Sequence, residues 1–208
     1  MNRSREYPSN ECGTIVGIFF VAHGIDVPAI SLDTIPNDAW RVHPQWGMKQ
    51  ILSTFVLDKM LKPKRPDDTV ALLCLTTTDF WPGKGWNFVF GQASLSERVG
   101  VWSMARYGDP QKDEEAYQLA LLRTLKVATH ETGHMFGIQH CVWYHCGMNG
   151  SMSLPATDAG PLTFCSECAA KLWWAIGSSS EKWMNSLTEF AERQQLKAEA
   201  KFWNQCAA

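Results

Sequence analysis

The run His130-Glu131-Thr132-Gly133-His134-Met135-Phe136-Gly137-Ile138-Gln139-His140-Cys141 constrains this chain more than any other feature. It crowds three imidazoles, a carboxylate and a thiol into one short stretch. His130 and His134 are four residues apart, so on a helix both rings leave the same face and can reach one ion. Gly137 is suited to stop that helix, because glycine reaches left-handed φ without strain. The chain can then turn sharply and bring His140 back under the same ion. Glu131 stands beside the first ligand, where its carboxylate can point past the metal to a bound water. Two nitrogen ligands, a base and an open coordination position are what a zinc hydrolase needs. Three neutral histidines would leave the full charge on the ion, which lowers the pKa of its water to about 7. A bare His-Glu-x-x-His is already rare by chance, and Gly137 with His140 at fixed offsets makes coincidence far rarer. The spacing leaves a zinc-binding interaction module without turnover as the alternative, and intact Glu131 speaks against it.

Cysteine usage points to a second metal. The chain holds seven cysteines. Cys141, Cys146, Cys165 and Cys168 cluster, while Cys12, Cys74 and Cys206 are scattered and are expected to be buried thiols. In a reducing compartment such a cluster reads as a metal site rather than two disulfides. Four thiolates in two short-spaced pairs make a closed tetrahedral site, the structural kind of zinc site. His145 lies between two of these cysteines and is expected to be exposed or hydrogen-bonded rather than a ligand. His23 and His43 have no partners at ligand spacing.

Taken whole, His130-Glu131-x-x-His134-x-x-Gly137-x-x-His140 matches the long zinc signature of metzincin peptidases. Cys141 at once after it, then Cys146, Met148 and Cys165-x-x-Cys168, resembles the archaemetzincin family. The upstream segments "WNFVFGQAS" and "RVGVWSMARYG" are similar to the sheet-edge region of its eukaryotic members. The resemblance covers residues 69–176, and the gap from Met148 to Cys165 differs by one residue from the usual pattern. It implies that His130, His134 and His140 bind a catalytic zinc and that Glu131 is general base and acid. It implies that Met148 is the Met-turn methionine packed beneath the zinc, and that the four cysteines bind a second, structural zinc. The implied activity is hydrolysis of peptide bonds by a zinc-bound water that Glu131 activates. The substrate would be a peptide or protein lying along the sheet edge near Asn87 to Ala93. No tyrosine stands two residues after Met148, so no tyrosine ligand is assigned.

The rest of the chain sets the frame. Apolar residues make up 45% and charged residues 19%, which is a globular composition. A net charge of -2 and the lack of a basic stripe exclude a nucleic-acid footprint. No apolar run is long enough for a membrane span. The first residues lack a signal-peptide pattern, so a cytoplasmic protein is expected.

Expected strands cover Gly13 to His23, Asp68 to Trp81, "WNFVFGQAS" and "RVGVWSMARY". A helix is expected between Pro44 and Pro63, with Met48, Ile51, Leu52, Phe55, Val56 and Met60 on one face. A long helix should run from about residue 110, with Asp109 as N-cap and Pro110 at its start, to His134 or Phe136. "CSECAAKLWWAIG" reads as a short helix. Ser178 with Glu181 forms a capping box for a last helix carrying Trp183, Leu187 and Phe190. The expected architecture is a metzincin-like α+β fold: a mixed, mostly parallel twisted sheet, packed helices, a long active-site helix and a zinc-stabilised C-terminal subdomain. One metallopeptidase domain should span residues 1–208, divided near residue 137.

Overall fold

The structure is a computed structural model that describes residues 14–21, 24–26, 29–177 and 180–207. The chain forms two compact units, Met1–Arg106 and Tyr107–Ala208. The long helix lies wholly in the second. The expected division near residue 137 marks where that helix ends.

The first unit is built on strands. β1 (Thr14–Val21) pairs antiparallel with β2 (Gly24–Asp26), with β3 (Ala29–Ser31) and with β6 (Ala71–Thr76). β6 pairs in parallel with β9 (Val99–Ser103), and β9 antiparallel with the edge strand β8 (Gly91–Ala93). β6 therefore lies between two partners and is buried on both faces. That is why "ALLCLT" reads as a continuous apolar run rather than an alternating one. A second sheet has the order β4 (Trp40–Val42), β5 (Lys49–Leu52), β7 (Asp79–Trp81).

Three sequence expectations change here. The α+β class holds, but antiparallel pairs outnumber parallel ones, of which the named strands contain β6–β9 and β5–β7. Short connections such as the turn from β8 to β9 can close only an antiparallel pair. Asp68 to Trp81 is not one strand. It breaks after Thr76, whose Oγ1 accepts from the Thr78 amide at 3.0 Å, and its two halves enter different sheets.

The expected helix from Pro44 is a strand in its first half. Ile51 sits in register with Trp40 on one side and Phe80 on the other. Buried Gln50 donates from Nε2 to Asp79 Oδ2 at 2.6 Å and accepts from Arg41 Nε at 2.7 Å. Asp79 in turn takes a bidentate pair from Arg106, at 2.8 and 2.7 Å. These distant partners override the helical period. Helix begins only at α1 (Ser53–Phe55) and continues as a wider π-helical turn, Val56–Leu61, into the core with Ile51, Leu72 and Val101.

The second unit is helical. α2 (Glu114–Met135) is capped by Asp113, whose Oδ1 accepts from the Ala116 amide at 2.7 Å. Glu114 and Glu115 then face the positive helix end. Asp109 instead closes a preceding turn through the Gln111 amide, at 2.9 Å, so the helix starts later than Pro110 had indicated. α3 (Leu154–Ala159) was not expected. α4 (Ser166–Ile176), the expected short helix, ends on Gly177 at φ 64°. α5 (Ser180–Arg193) carries Trp183, Leu187 and Phe190, while the capping residue Ser178 lies outside the described residues. α6 (Lys197–Ala207) was also not expected. No described helix is long and apolar enough to cross a membrane.

Candidate metal centres

The last turns of α2 set His130 and His134 on one face, with Nε2 atoms 3.1 Å apart. Gly137 adopts φ 78°, the left-handed conformation that ends the helix. The chain then returns His140, whose Nε2 lies 3.2 Å from that of His130. A tetrahedral ion with nitrogen ligands at ~2.0–2.1 Å spans edges of about 3.3–3.4 Å, so both separations from His130 have the size of an edge of such a site.

The outer nitrogens fix the chemistry of the inner ones. His130 Nδ1 donates to the Gly147 carbonyl at 2.8 Å, and His134 Nδ1 to the Ile138 carbonyl at 2.7 Å. Carbonyls only accept, so each Nδ1 carries the proton and each neutral ring turns a bare Nε2 lone pair inward. Lone pairs at this separation repel unless a cation lies between them. Burial also holds both rings neutral: His130 is lowered to about 4 chiefly by desolvation, and His134 is lowered for the same reason. The donor set therefore fits a divalent cation.

Glu131 is 5% exposed, and burial raises its carboxyl to about 8. Its Oε2 has no hydrogen-bond partner among the described residues. A buried carboxylate oxygen without a donor is costly, and a nearby cation or polarised water is what would relieve it.

The second cluster begins one residue after His140. The sulfurs of Cys141, Cys146, Cys165 and Cys168 all lie within 4.8 Å of one another. Cys141 and Cys165 are separated by 4.0 Å, too far for a disulfide and close to the edge of about 3.8 Å that a tetrahedral zinc thiolate site requires. Backbone amides of Met148 and Cys165 donate to Cys146 Sγ at 3.4 and 3.1 Å. Amide hydrogen bonds, that of Trp143 first, lower the Cys141 thiol, whereas burial raises Cys146 and Cys168. The sulfurs pack within a hydrophobic cluster with Ile138, Met148 and Leu172.

Met148 is fully buried beneath α2. A Cβ added at Gly133 would collide with its sulfur, so glycine is what lets the helix sit on this side chain. Sequence reasoning gave Gly133 no role, although a glycine inside a helix costs about 1 kcal/mol and so signals a reason. Asn149 was missed too. Its Nδ2 donates to the carbonyls of Cys141 at 2.6 Å and Tyr144 at 2.9 Å, and its Oδ1 accepts from the Cys146 amide at 2.8 Å. One side chain thus stitches the loop between two cysteines, and no local pattern announces it.

His145 stands outside the sulfur cluster, exposed, with Nε2 3.3 Å from the Ala159 carbonyl. His43 stacks on Trp46 at 3.8 Å. Cys74 is buried as expected, but Cys206, in the last turn of α6, is exposed. Cys12 and His23 lie outside the described residues.

The model of peptidase family M54 matches residues 41–173. Archaemetzincin-2 of Homo sapiens is 39% identical over 172 residues, which cover 70% of this chain and 48% of that protein. The archaemetzincin of Methanopyrus kandleri is 42% identical over 123 residues, 59% of this chain and 66% of that one. The crystal structure of the Methanopyrus kandleri archaemetzincin superposes with a TM-score of 0.56 at 35% identity, covering 69% of this chain and 73% of that one. The Archaeoglobus fulgidus archaemetzincin complexed with malonate gives 0.52 at 34% identity, covering 66% and 76%. The chain spans about half the length of the curated mammalian relatives it matches.

Proposed function

We propose, on the premise that the chain belongs to peptidase family M54, that it is a zinc-dependent metallopeptidase acting on peptides or proteins. The observation that carries this reading is the set of convergent Nε2 lone pairs, two of them fixed by Nδ1 hydrogen bonds, beside the orphaned Glu131 Oε2. His130, His134 and His140 would hold a catalytic zinc, which supplies Lewis acidity to a scissile carbonyl and to water. Glu131 takes a proton from the attacking water as a carboxylate. It then hands that proton to the departing amine. Met148 supports the helix from below through Gly133. Cys141, Cys146, Cys165 and Cys168 would hold a second, structural zinc. We assign residues 1–208 to one catalytic domain, with its cysteine-rich half beginning near residue 138, and place the protein in the cytoplasm.

Peptide-library profiling of the zinc-loaded protein against Glu131→Gln tests the proposal. The variant should bind metal as before and lose roughly 10²–10⁴-fold in rate, the usual worth of a positioned base. Equal cleavage by both proteins would remove Glu131 from the chemistry. A wild type that binds zinc and cleaves nothing would leave a zinc-binding module.

A further inference from the structure

The three histidines of the metal centre are not held alike. His130 and His134 each donate from Nδ1 to a backbone carbonyl, which fixes the angle of the ring. His140 is exposed, and among the described residues its ring nitrogens meet only Nε2 of His130. Its Nδ1 has no carbonyl to set the third ring in place.

Gly150 supplies another constraint. An ideal Cβ built on Gly150 would lie 3.2 Å from Cε1 of His140, 3.3 Å from Nδ1 and 3.6 Å from Nε2. Three nearly equal distances put that position over the face of the imidazole. A position in the ring plane beyond Cε1 would lie much farther from both nitrogens than from the carbon. The ring therefore turns its face to the Gly150 backbone and leaves less than the ordinary carbon contact of about 3.5–4.0 Å for a methyl. Gly150 does not adopt the left-handed φ that calls for glycine, so its backbone would accept alanine. The ring is what excludes a side chain there.

The two chain segments are also pinned together beside this contact. The Cys141 amide donates to the Met148 carbonyl at 2.9 Å, and Asn149 Nδ2 donates to the Cys141 carbonyl at 2.6 Å. With these ties the segments cannot spread, so a methyl at position 150 has to turn the His140 ring. A metal site holds its ligand distances to within about 0.2 Å, so a small turn is felt at the ion. We propose that Gly150 is the positioning residue of the third metal ligand: its bare backbone supports the face of His140 and does for that ring what the Gly147 and Ile138 carbonyls do for the other two. This rests on the reading of the histidine centre as a metal site.

Cobalt exchanged into the zinc-loaded full chain tests it. The visible d–d bands of Co²⁺ report the geometry of its ligands, and sulfur charge-transfer bands in the near ultraviolet mark any cobalt in the cysteine site. Wild type should take one cobalt with nitrogen-type bands. Gly150→Ala should bind it about 10–100-fold more weakly, the usual worth of a group that orients a ligand, with shifted d–d bands. Gly150→Val should be weaker still. The thermal melt of Gly150→Ala with the histidine centre emptied should match wild type or rise, because alanine fits the backbone and restricts the unfolded chain. In a His140→Ala background, Gly150→Ala should change cobalt affinity by less than about twofold, since the ring it disturbs is gone. Unaltered affinity and bands in Gly150→Ala overturn the proposal and leave the metal site standing. An equal loss in the His140→Ala background overturns it too, as does a lowered melt of the emptied Gly150→Ala protein. A wild type without a nitrogen-type cobalt site overturns the reading of the histidine centre and this proposal with it.

Discussion

The histidine and cysteine clusters are neighbours in sequence and opposites in setting. His140 is exposed and reaches its partners from a loop, while Cys146 and Cys168, 1% and 4% exposed, are embedded in the hydrophobic cluster around Leu172. Three nitrogens leave a coordination position open; four sulfurs close the sphere. Burial lowers His130 and His134, whose rings are thus neutral and ready for metal, whereas burial raises the thiols of Cys146 and Cys168. The same physical cause, desolvation, thus keeps His130 and His134 neutral and keeps the Cys146 and Cys168 thiols protonated until an ion takes the proton's place. Openness belongs to chemistry and closure to scaffold. The peptide bond between His140 and Cys141 joins the two, and the Cys141 amide donates to the Met148 carbonyl at 2.9 Å.

Breaking the clusters in turn should give the largest contrast. Cys165→Ser with Cys168→Ser should abolish the cooperative thermal melt and release both metals, because the proposed structural zinc would contribute folding free energy and Cys168 lies in the core with Cys165 packed against it. His134→Ala should release one metal and leave the melt cooperative. Circular dichroism with metal analysis checks both, and a well-folded cysteine double variant would refute the scaffold role.

A smaller effect sharpens the link between the clusters. Gly133→Ala pushes a methyl into Met148, which cannot retreat from a fully buried site. Overpacking of this kind costs about 1–3 kcal/mol and should appear as a lowered denaturation midpoint and weaker metal retention at both centres. Unchanged retention would show that the methionine moves freely.

The smallest effect lies away from both centres, where Arg123 of α2 grips Asp158 of α3 with bonds at 2.7 and 2.5 Å. This partner holds the Asp158 carboxyl below the ordinary aspartate range. A depressed carboxyl stabilises the fold fully above its unfolded value of about 4 and loses that contribution as pH falls through the lower folded value. Wild type should therefore lose slightly more stability than Asp158→Asn between neutral pH and pH values below about 4, and equal acid sensitivity would show that the pair is inert.

Much of the site was legible in the chain because its rules are local. Ligand spacing, the glycine stop after Phe136 and the paired cysteines each follow from reach over a few residues, and the structure brings those side chains together. The long helix was legible for the same reason, though its cap was misread: Asp109 and Asp113 offer the same chemistry, and only the turn at Gln111 separates them.

Tertiary structure decided the rest. Residues 49–52 carry a helical pattern yet form a strand, because Gln50 and Ile51 find partners some thirty residues away. The choice of Nε2 over Nδ1 depends on carbonyls supplied by the Gly147 and Ile138 loops. The need for glycine at position 133 depends on Met148, and at position 150 on the His140 ring. By itself the sequence determined which atoms could bind and which turns could form. Which lone pairs face inward, and where a Cβ finds no room, are long-range matters of register and packing, and no spacing rule of a few residues contains them.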